Sequence, residues 1–224
     1  MWSNYVKTFQ NFAAGMYFFN TMKILIPCVV GTVLTSAMAG YSLGRLKSPG
    51  KKIWFGLTIG AMILPGHVVL IPQYLTYSAI GATNTYLPFY LAAWFGDGAS
   101  NVFLMRQFMR TLSKDYDESA MIDGATRLQI FLKILVPLCA PNIITVAVFS
   151  FMYYWSDFQS PLIYLRSDSK FTLALGILSL RGAYSSKWNY IMAASLVMVL
   201  PAVVLFALGQ RYFIEGIVLT GVKG

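Results

Sequence analysis

Asp115, Asp117, Glu118 and Asp123 are half of the chain's eight acidic residues, and they crowd into one stretch, Ser113 to Ala125. The stretch reads as a short helix outside any membrane. Asp115 is placed to cap it, with Glu118 three residues on in a capping-box pattern, and Gly124 lets the chain turn where the helix ends. Ser119, Ala120 and Ala125 are small enough for close approach of another protein. A second amphipathic stretch follows, Leu128, Ile130, Phe131, Ile134 and Leu135, and leads to Pro137. An ordinary solvated connecting helix has much the same composition, so these residues alone leave both readings open.

A second group suits hydrogen bonding to a polyhydroxylated solute. Tyr153, Tyr154, Trp155, Ser156, Asp157 and Gln159 combine aromatic faces with polar side chains, the combination that holds sugars. An aromatic belt at a membrane surface also explains the rings, though not Asp157 and Gln159 beside them. His67 stands between Pro65-Gly66 and Pro72, where an interrupted helix exposes backbone groups to a pathway. A packed, hydrogen-bonded histidine is the plainer reading, and there is no second histidine for a metal pair or proton relay. Asp97 faces a cavity or caps a helix restarting at Ala99. Pro137 and Pro141 suggest a kink. Cys28 and Cys139 lie in apolar runs and read as packing residues, not a disulfide or metal pair.

Catalytic signatures are lacking. The chain holds no nucleophile elbow, no His-Glu-x-x-His and no paired catalytic acids, which argues against an intramembrane enzyme. The stretch Gly44 to Lys52 is a poor phosphate-binding loop, with five intervening residues and Lys52 where a hydroxyl should bind Mg²⁺. It reads instead as a basic turn.

The elements that position these groups follow from the scarcity of charge. Of 224 residues 57% are hydrophobic and only 11% charged, against roughly 25% charged in a soluble domain. That excludes a disordered tail, a disulfide scaffold and an ordinary cytosolic enzyme. Uncharged runs cover 24–44, 53–96, 134–156 and 188–210, and about 20 apolar residues cross a hydrocarbon core. The 53–96 run is broken by the polar stretch Ser78 to Thr85, so it holds one span and begins another that passes Asp97. The reading is an all-α, polytopic helical membrane protein. Its single transmembrane domain, 1–224, has five transmembrane helices at about 22–44, 53–75, 86–108, 134–156 and 189–211. Runs of this length exclude a transmembrane barrel. Residues 1–20 are aromatic and amphipathic, suited to the interface, with no cleavable signal evident.

Basic residues set the orientation. Arg45, Lys47, Lys51 and Lys52 crowd one connection, whereas Ser78 to Thr85 has no charge. The positive-inside bias makes the basic turn cytoplasmic. Alternation then puts 106–133 and the C-terminus inside, with 11 Lys and Arg inside and 6 outside. The net charge of +9 is therefore a topology signal and does not call for nucleic acid. Five spans leave the N-terminus outside, which points to a further span preceding this sequence or to an independently translocated N-terminus; the first is favoured.

Spacing then ties the acidic stretch to a known pattern. Glu118-Ser119-Ala120, three residues, Gly124, nine residues, Ile134, one residue and Val136-Pro137 resembles the EAA loop of permease subunits in bacterial ABC importers. It departs from the family pattern at Ser119 for Ala and Val136 for Leu. Asp123-Gly124-Ala125 is the form typical of the carbohydrate-importer branch. Asn20, the run Ile63 to Pro72, Leu104 to Phe108, Tyr154 to Ile163, Gln210 to Gly216 and Gly221 to Gly224 resemble the same branch. The resemblance covers nearly the whole chain and is to the second permease of maltose-type importers, an ABC importer type I permease fold that normally has six spans.

The resemblance implies a bacterial inner-membrane, multi-pass subunit with a cytoplasmic coupling loop at 113–137. Asp117, Glu118, Ser119, Ala120, Asp123, Gly124 and Ala125 would dock in a cleft of a cytoplasmic ATPase. It implies as partners a second permease subunit, two ATPase subunits carrying ATP and Mg, and an extracytoplasmic solute-binding protein, in contact with membrane lipid. This chain itself is expected to bind no cofactor or metal. Tyr153, Tyr154, Trp155, Asp157, Gln159 and His67 are the candidate pathway residues for an oligosaccharide, polyol or sugar phosphate. The rival reading, a secondary transporter or channel without an ATPase, predicts internal repeats and intramembrane ionisable groups. No repeat is present, and only Asp97 and Asp157 qualify as such groups.

Overall fold

A computed structural model describes residues 5–8, 12–95, 98–183 and 188–221, with side chains placed through residue 207 apart from 179 and 181–187. Asp97 and the side chains of the ending motif from Gln210 lie outside the described residues. The described residues are helical and contain no strand. In chain order the helices are α1 Ala14–Gly44, α2 Lys51–Ile63, α3 Gly66–Ala79, α4 Leu87–Phe95, α5 Ala99–Thr111, α6 Asp115–Ile122, α7 Arg127–Ile130, α8 Ala140–Ser156, α9 Gln159–Tyr164, α10 Leu173–Ala183 and α11 Trp188–Gly221.

Two helices are long and apolar enough to cross a membrane alone, Ala14–Gly44 and Trp188–Ala207. Two bent pairs bring the number to four if each pair is one span: α2 with α3, bent by 103°, and the helical segment Arg127–Leu138 with α8, bent by 78°. The predicted spans at 53–75 and 134–156 are thus each divided by a sharp turn. Pro65 precedes α3 in extended backbone, and a proline can neither continue the helical ladder nor leave its predecessor helical. Before α8, Phe131–Leu135 is a π-helical turn ahead of Pro137, and Cys139 leaves the helical region. Over the predicted span 86–108 the described helices are α4, ending at Phe95, and α5, starting at Ala99 after Gly98, which lies outside the helical region.

The central element is α1. It packs most heavily on α5, then on α8 and α4, while α11 lies against α8 and α10. One core cluster gathers Tyr17, Ile24, Cys28, Phe89, Trp155 and Tyr164; another gathers Ala37, Met105, Met109, Phe131, Cys139 and Val146. The α1–α5 contact depends on Gly40: a Cβ there would lie 2.7 Å from Met105 Cβ and 3.0 Å from the Arg106 backbone nitrogen. Small residues at such crossings let helix backbones meet where lipid offers no hydrophobic driving force.

The connections around Asn84 and around 166–171 close over the start of α1. The Asn20 amide donates to the Ser169 and Phe171 carbonyls at 2.9 and 3.1 Å, and the Tyr17 hydroxyl donates to Asp168 at 2.8 Å. Asn84, with φ +57°, accepts from the backbone N–H groups of Arg166 and Ser167 and takes Lys170 Nζ on its carbonyl at 2.6 Å. By contrast, no residue of α2 or α3 is buried.

The Gly40 contact sets a test. Gly40→Ala should lower stability in detergent by about 1–3 kcal/mol through overpacking. Gly60→Ala, with nothing within 4 Å of the added carbon, should be neutral or stabilising by up to about 1 kcal/mol. Equal unfolding midpoints for the two variants would contradict the assigned crossing.

Candidate functional site

The acidic stretch forms α6, but its cap differs from the predicted one. Lys114 is the N-cap and no side chain caps it, so Asp115 lies inside the first turn, where the Ser113 hydroxyl donates to its carboxylate at 2.8 Å. The capping box forms one element later. Thr126 accepts from the Gln129 N–H, and the Gln129 side chain accepts from the Thr126 N–H at 2.8 Å. A hydroxyl, with free rotation and two lone pairs, meets that geometry more readily than a carboxylate already engaged by Ser113.

The far end of α6 closes as the spacing predicts. Gly124 has φ +81°, its N–H donates to the Met121 carbonyl, and the Ala125 N–H donates to the Ala120 carbonyl at 2.9 Å. This pair of bonds is a Schellman closure, which needs a left-handed residue at the position of Gly124.

The side chains of the coupling stretch divide into two faces. Glu118, Ser119, Asp123 and Gly124 are exposed. Ala120 is buried against Ile130 and Leu135, so its small size serves the loop's own core. Asp117 also turns inward: its carboxylate lies 2.8 Å from Arg45 Nε, in an ion pair whose side chains are 4% (Arg45) and 17% (Asp117) exposed. The guanidinium further donates to the Leu112 and Ser113 carbonyls at 2.7 and 2.6 Å. Tyr41 stacks on Phe131 and donates to the Arg127 carbonyl. The last turn of α1 thus grips both sides of the loop. Sequence reasoning missed Arg45 as a structural anchor. It also missed the exposed apolar side chains of Tyr116, Met121 and Ile122, the last 87% exposed, which stand beside Glu118 in a helix outside the spans.

The second candidate group surrounds a cavity of about 640 Å³ between α3, α4, α8 and α9. His67, Tyr153, Tyr154, Asp157 and Gln159 all line it. The Gln159 amide nitrogen and His67 Nδ1 are 3.2 Å apart, and the Tyr154 hydroxyl lies 3.2 Å from Thr32 Oγ1. Asp157 accepts from the Ser160 N–H at 3.0 Å. Trp155 does not join them: it is buried and donates its indole N–H to the Met198 carbonyl at 3.0 Å. Gln73, Tyr77, Ser160 and Tyr164 complete the polar lining. Burial, with Tyr77 and Asp157 nearby, pushes the Tyr164 phenol up, so it stays a neutral hydroxyl near pH 7.

A helical membrane chain with an anchored exposed loop helix at one end of α1 and a polar, aromatic cavity among its other helices is a transport component. The family model for the inner membrane component of binding-protein-dependent transport systems matches residues 31–218, and the chain belongs to that family. It is a permease subunit of an ABC importer and not itself an enzyme. The arabinooligosaccharides transport permease of Halalkalibacterium halodurans is 35% identical over 94% of this chain and 76% of its own length. The alpha-glucoside permease of Rhizobium meliloti is 31% identical over 99% of this chain, which spans 60% of it. The permease for osmoprotective compounds of Synechocystis is 31% identical over 98% of this chain and 74% of its own length. Among solved structures, a bacterial ABC transporter involved in import of the acidic polysaccharide alginate superposes with TM-score 0.83 at 21% identity, covering 94% of this chain and 79% of that one.

Arg45 gives this site its test. Arg45→Ala leaves Asp117 without its cation and two carbonyls without donors, and should cost about 2–4 kcal/mol. Arg45→Lys should recover only part, because an ammonium lacks the planar fork. Unfolding in detergent measures both, and a neutral Arg45→Ala would refute the clamp.

Proposed function

We propose that this chain forms part of the translocation path for a carbohydrate or related polyol and couples it to a cytoplasmic ATPase through the loop 113–137. The observation that carries the coupling reading is the geometry of α6. It is a short rigid helix, anchored to α1 through Arg45 and Tyr41, whose other face presents Glu118 with Tyr116, Met121 and Ile122. A face of this kind suits a partner groove with a basic group, where charge favours partner choice more than affinity. The reading includes a second permease subunit, two ATPase subunits that carry ATP and Mg, and a solute-binding protein outside. The basic turn 45–52, the coupling loop and the C-terminus are then cytoplasmic. Closure of the ATPase pair would move α6, and α6 would move α1 as a rigid body.

The solute class is supported by the chemistry of the cavity and by what the relatives are named for. His67, Gln159, Asp157, Tyr153 and Tyr164 supply hydrogen-bonding groups beside aromatic faces, and no Lys or Arg lines the cavity. Hydroxyl-rich solutes fit such a wall better than anions do.

Two measurements test these roles in vesicles carrying the assembled importer. Glu118→Lys, on an exposed side chain, should leave the fold intact and reduce ATP-driven uptake about tenfold or more. Gly124→Val should uncouple transport more than it unfolds the protein. Normal uptake in both would end the coupling assignment. Gln159→Ala should raise the half-saturating solute concentration roughly five- to tenfold, the value of one lost hydrogen bond, with ATP coupling unchanged. No change in any solute's half-saturation would remove the cavity from the pathway.

A further inference from the structure

We propose that the cleft between α2 and α5, beside the end of α1, is a binding site for the phosphate headgroup of an anionic lipid. The proposal uses the cytoplasmic orientation of the basic turn but not the identity of the solute or the coupling role of α6.

The cleft is a cavity of about 480 Å³ lined by Arg45, Lys51, Lys52, Arg106, Arg110 and Lys114, with no carboxylate in its wall. Three of these cations are held by the fold. Arg45 is committed to Asp117 and two carbonyls. Lys51 Nζ donates to the Gly44 and Leu46 carbonyls at 3.3 and 2.9 Å. Arg106 donates from Nε to the Leu43 carbonyl at 3.1 Å, and its guanidinium carbon sits 3.5 Å over the Phe55 ring. The side chains of the other three, Lys52, Arg110 and Lys114, make no hydrogen bond or ion pair among the described residues and remain available.

Like charges gathered around one cavity repel one another, and an anion placed among them relieves that repulsion. Phosphate satisfies several ammonium and guanidinium donors at once.

The apolar neighbours say which phosphate. α2 supplies Lys51, Lys52 and Phe55 to the cleft wall, and Phe55 stacks on Phe103 of α5; the other sides of the same turns carry Ile53, Trp54 and Leu57, which are 70%, 65% and 60% exposed. A cationic cavity at the start of an otherwise apolar, exposed helix matches an amphiphile with an anionic head held in the cleft and hydrocarbon tails beside the helix. A free phosphate would use the cations alone. Basic pockets at the cytoplasmic ends of transmembrane helices hold anionic headgroups by this chemistry, and an exposed tryptophan at the same level suits the interface.

The test uses the assembled importer, purified through a tag on this chain. Native mass spectrometry should show phosphatidylglycerol retained by the wild type and by Lys7→Gln/Lys23→Gln, which alters charge elsewhere. Lys52→Gln/Arg110→Gln should retain about tenfold less or lower, and Lys52→Arg/Arg110→Lys, which keeps both charges, should retain it. Equal retention by all variants would overturn the site. Add-back to delipidated wild-type complex needs no variant to fold. Phosphatidylglycerol should raise the unfolding midpoint, whereas phosphatidylcholine and inorganic phosphate should not. Stabilisation by inorganic phosphate alone would assign the cleft to a free anion, and equal stabilisation by phosphatidylcholine would show that headgroup charge is irrelevant. Cross-linking of Lys52 to a partner subunit in a complex that holds no anionic lipid would give the cleft to a protein segment. Each of these three results refutes the proposal.

Discussion

In a hydrocarbon solvent every backbone donor and acceptor must be satisfied inside the protein, and α1 shows how much of the fold follows from that constraint. Pro27 interrupts its hydrogen-bond ladder, because proline has no N–H to offer the carbonyl one turn earlier. That carbonyl belongs to Lys23, and the Tyr90 hydroxyl donates to it at 2.9 Å. The Trp94 indole donates to the Pro27 carbonyl itself at 3.2 Å, and Cys28 Sγ reaches the Phe89 carbonyl. α4 is therefore fixed to α1 by the break in the ladder. Its aromatic residues then bring Phe89 against Tyr164 and close one wall of the 640 Å³ cavity.

The same helix links two ends that have different tasks. At 31 residues and 1.5 Å per residue it is about 46 Å long. Its first turns hold the connection at 168–171 through Asn20 and Tyr17, and its last turn holds the loop that carries α6 through Arg45 and Tyr41. A rigid element gripped at both ends transmits displacement without needing a chain of side-chain rearrangements. The Arg45–Asp117 pair costs desolvation of two charges, which is tolerable because the guanidinium also satisfies the Leu112 and Ser113 carbonyls.

The uncharged runs mark apolar stretches because charge is expensive at depth whatever the tertiary structure. Helix directions were not readable from them. Leu64-Pro65-Gly66 marks an interruption in sequence, but the 103° turn is set by packing that no local pattern encodes. Neighbouring residues on a helix differ by about 100° in direction, which is why Tyr154 reaches the cavity and Trp155 turns to Met198. Aromatic composition could not separate them. The capping pattern was ambiguous for a similar reason. Asp115 with Glu118 and Thr126 with Gln129 both fit the spacing, and the Ser113 hydroxyl decided against the first. Ala120 was legible as small but not as inward-facing, since a small residue suits a loop's own core and a partner's approach equally well.

Charge scarcity also makes each basic residue carry several consequences. Arg45 and Lys51 belong to one basic cluster, yet Arg45 holds the Leu112 and Ser113 carbonyls of the loop and Lys51 holds the Gly44 and Leu46 carbonyls at the end of α1. Once these side chains are committed to the fold, the cations left over, Lys52, Arg110 and Lys114, all line the cleft between α2 and α5. Orientation alone would be satisfied by basic residues scattered along a loop. A cavity lined by them at the start of the exposed apolar helix α2 is a stronger arrangement. It gives the helix pair α2–α3, which buries no residue within this chain, a fixed relation to the membrane surface before any protein partner covers it.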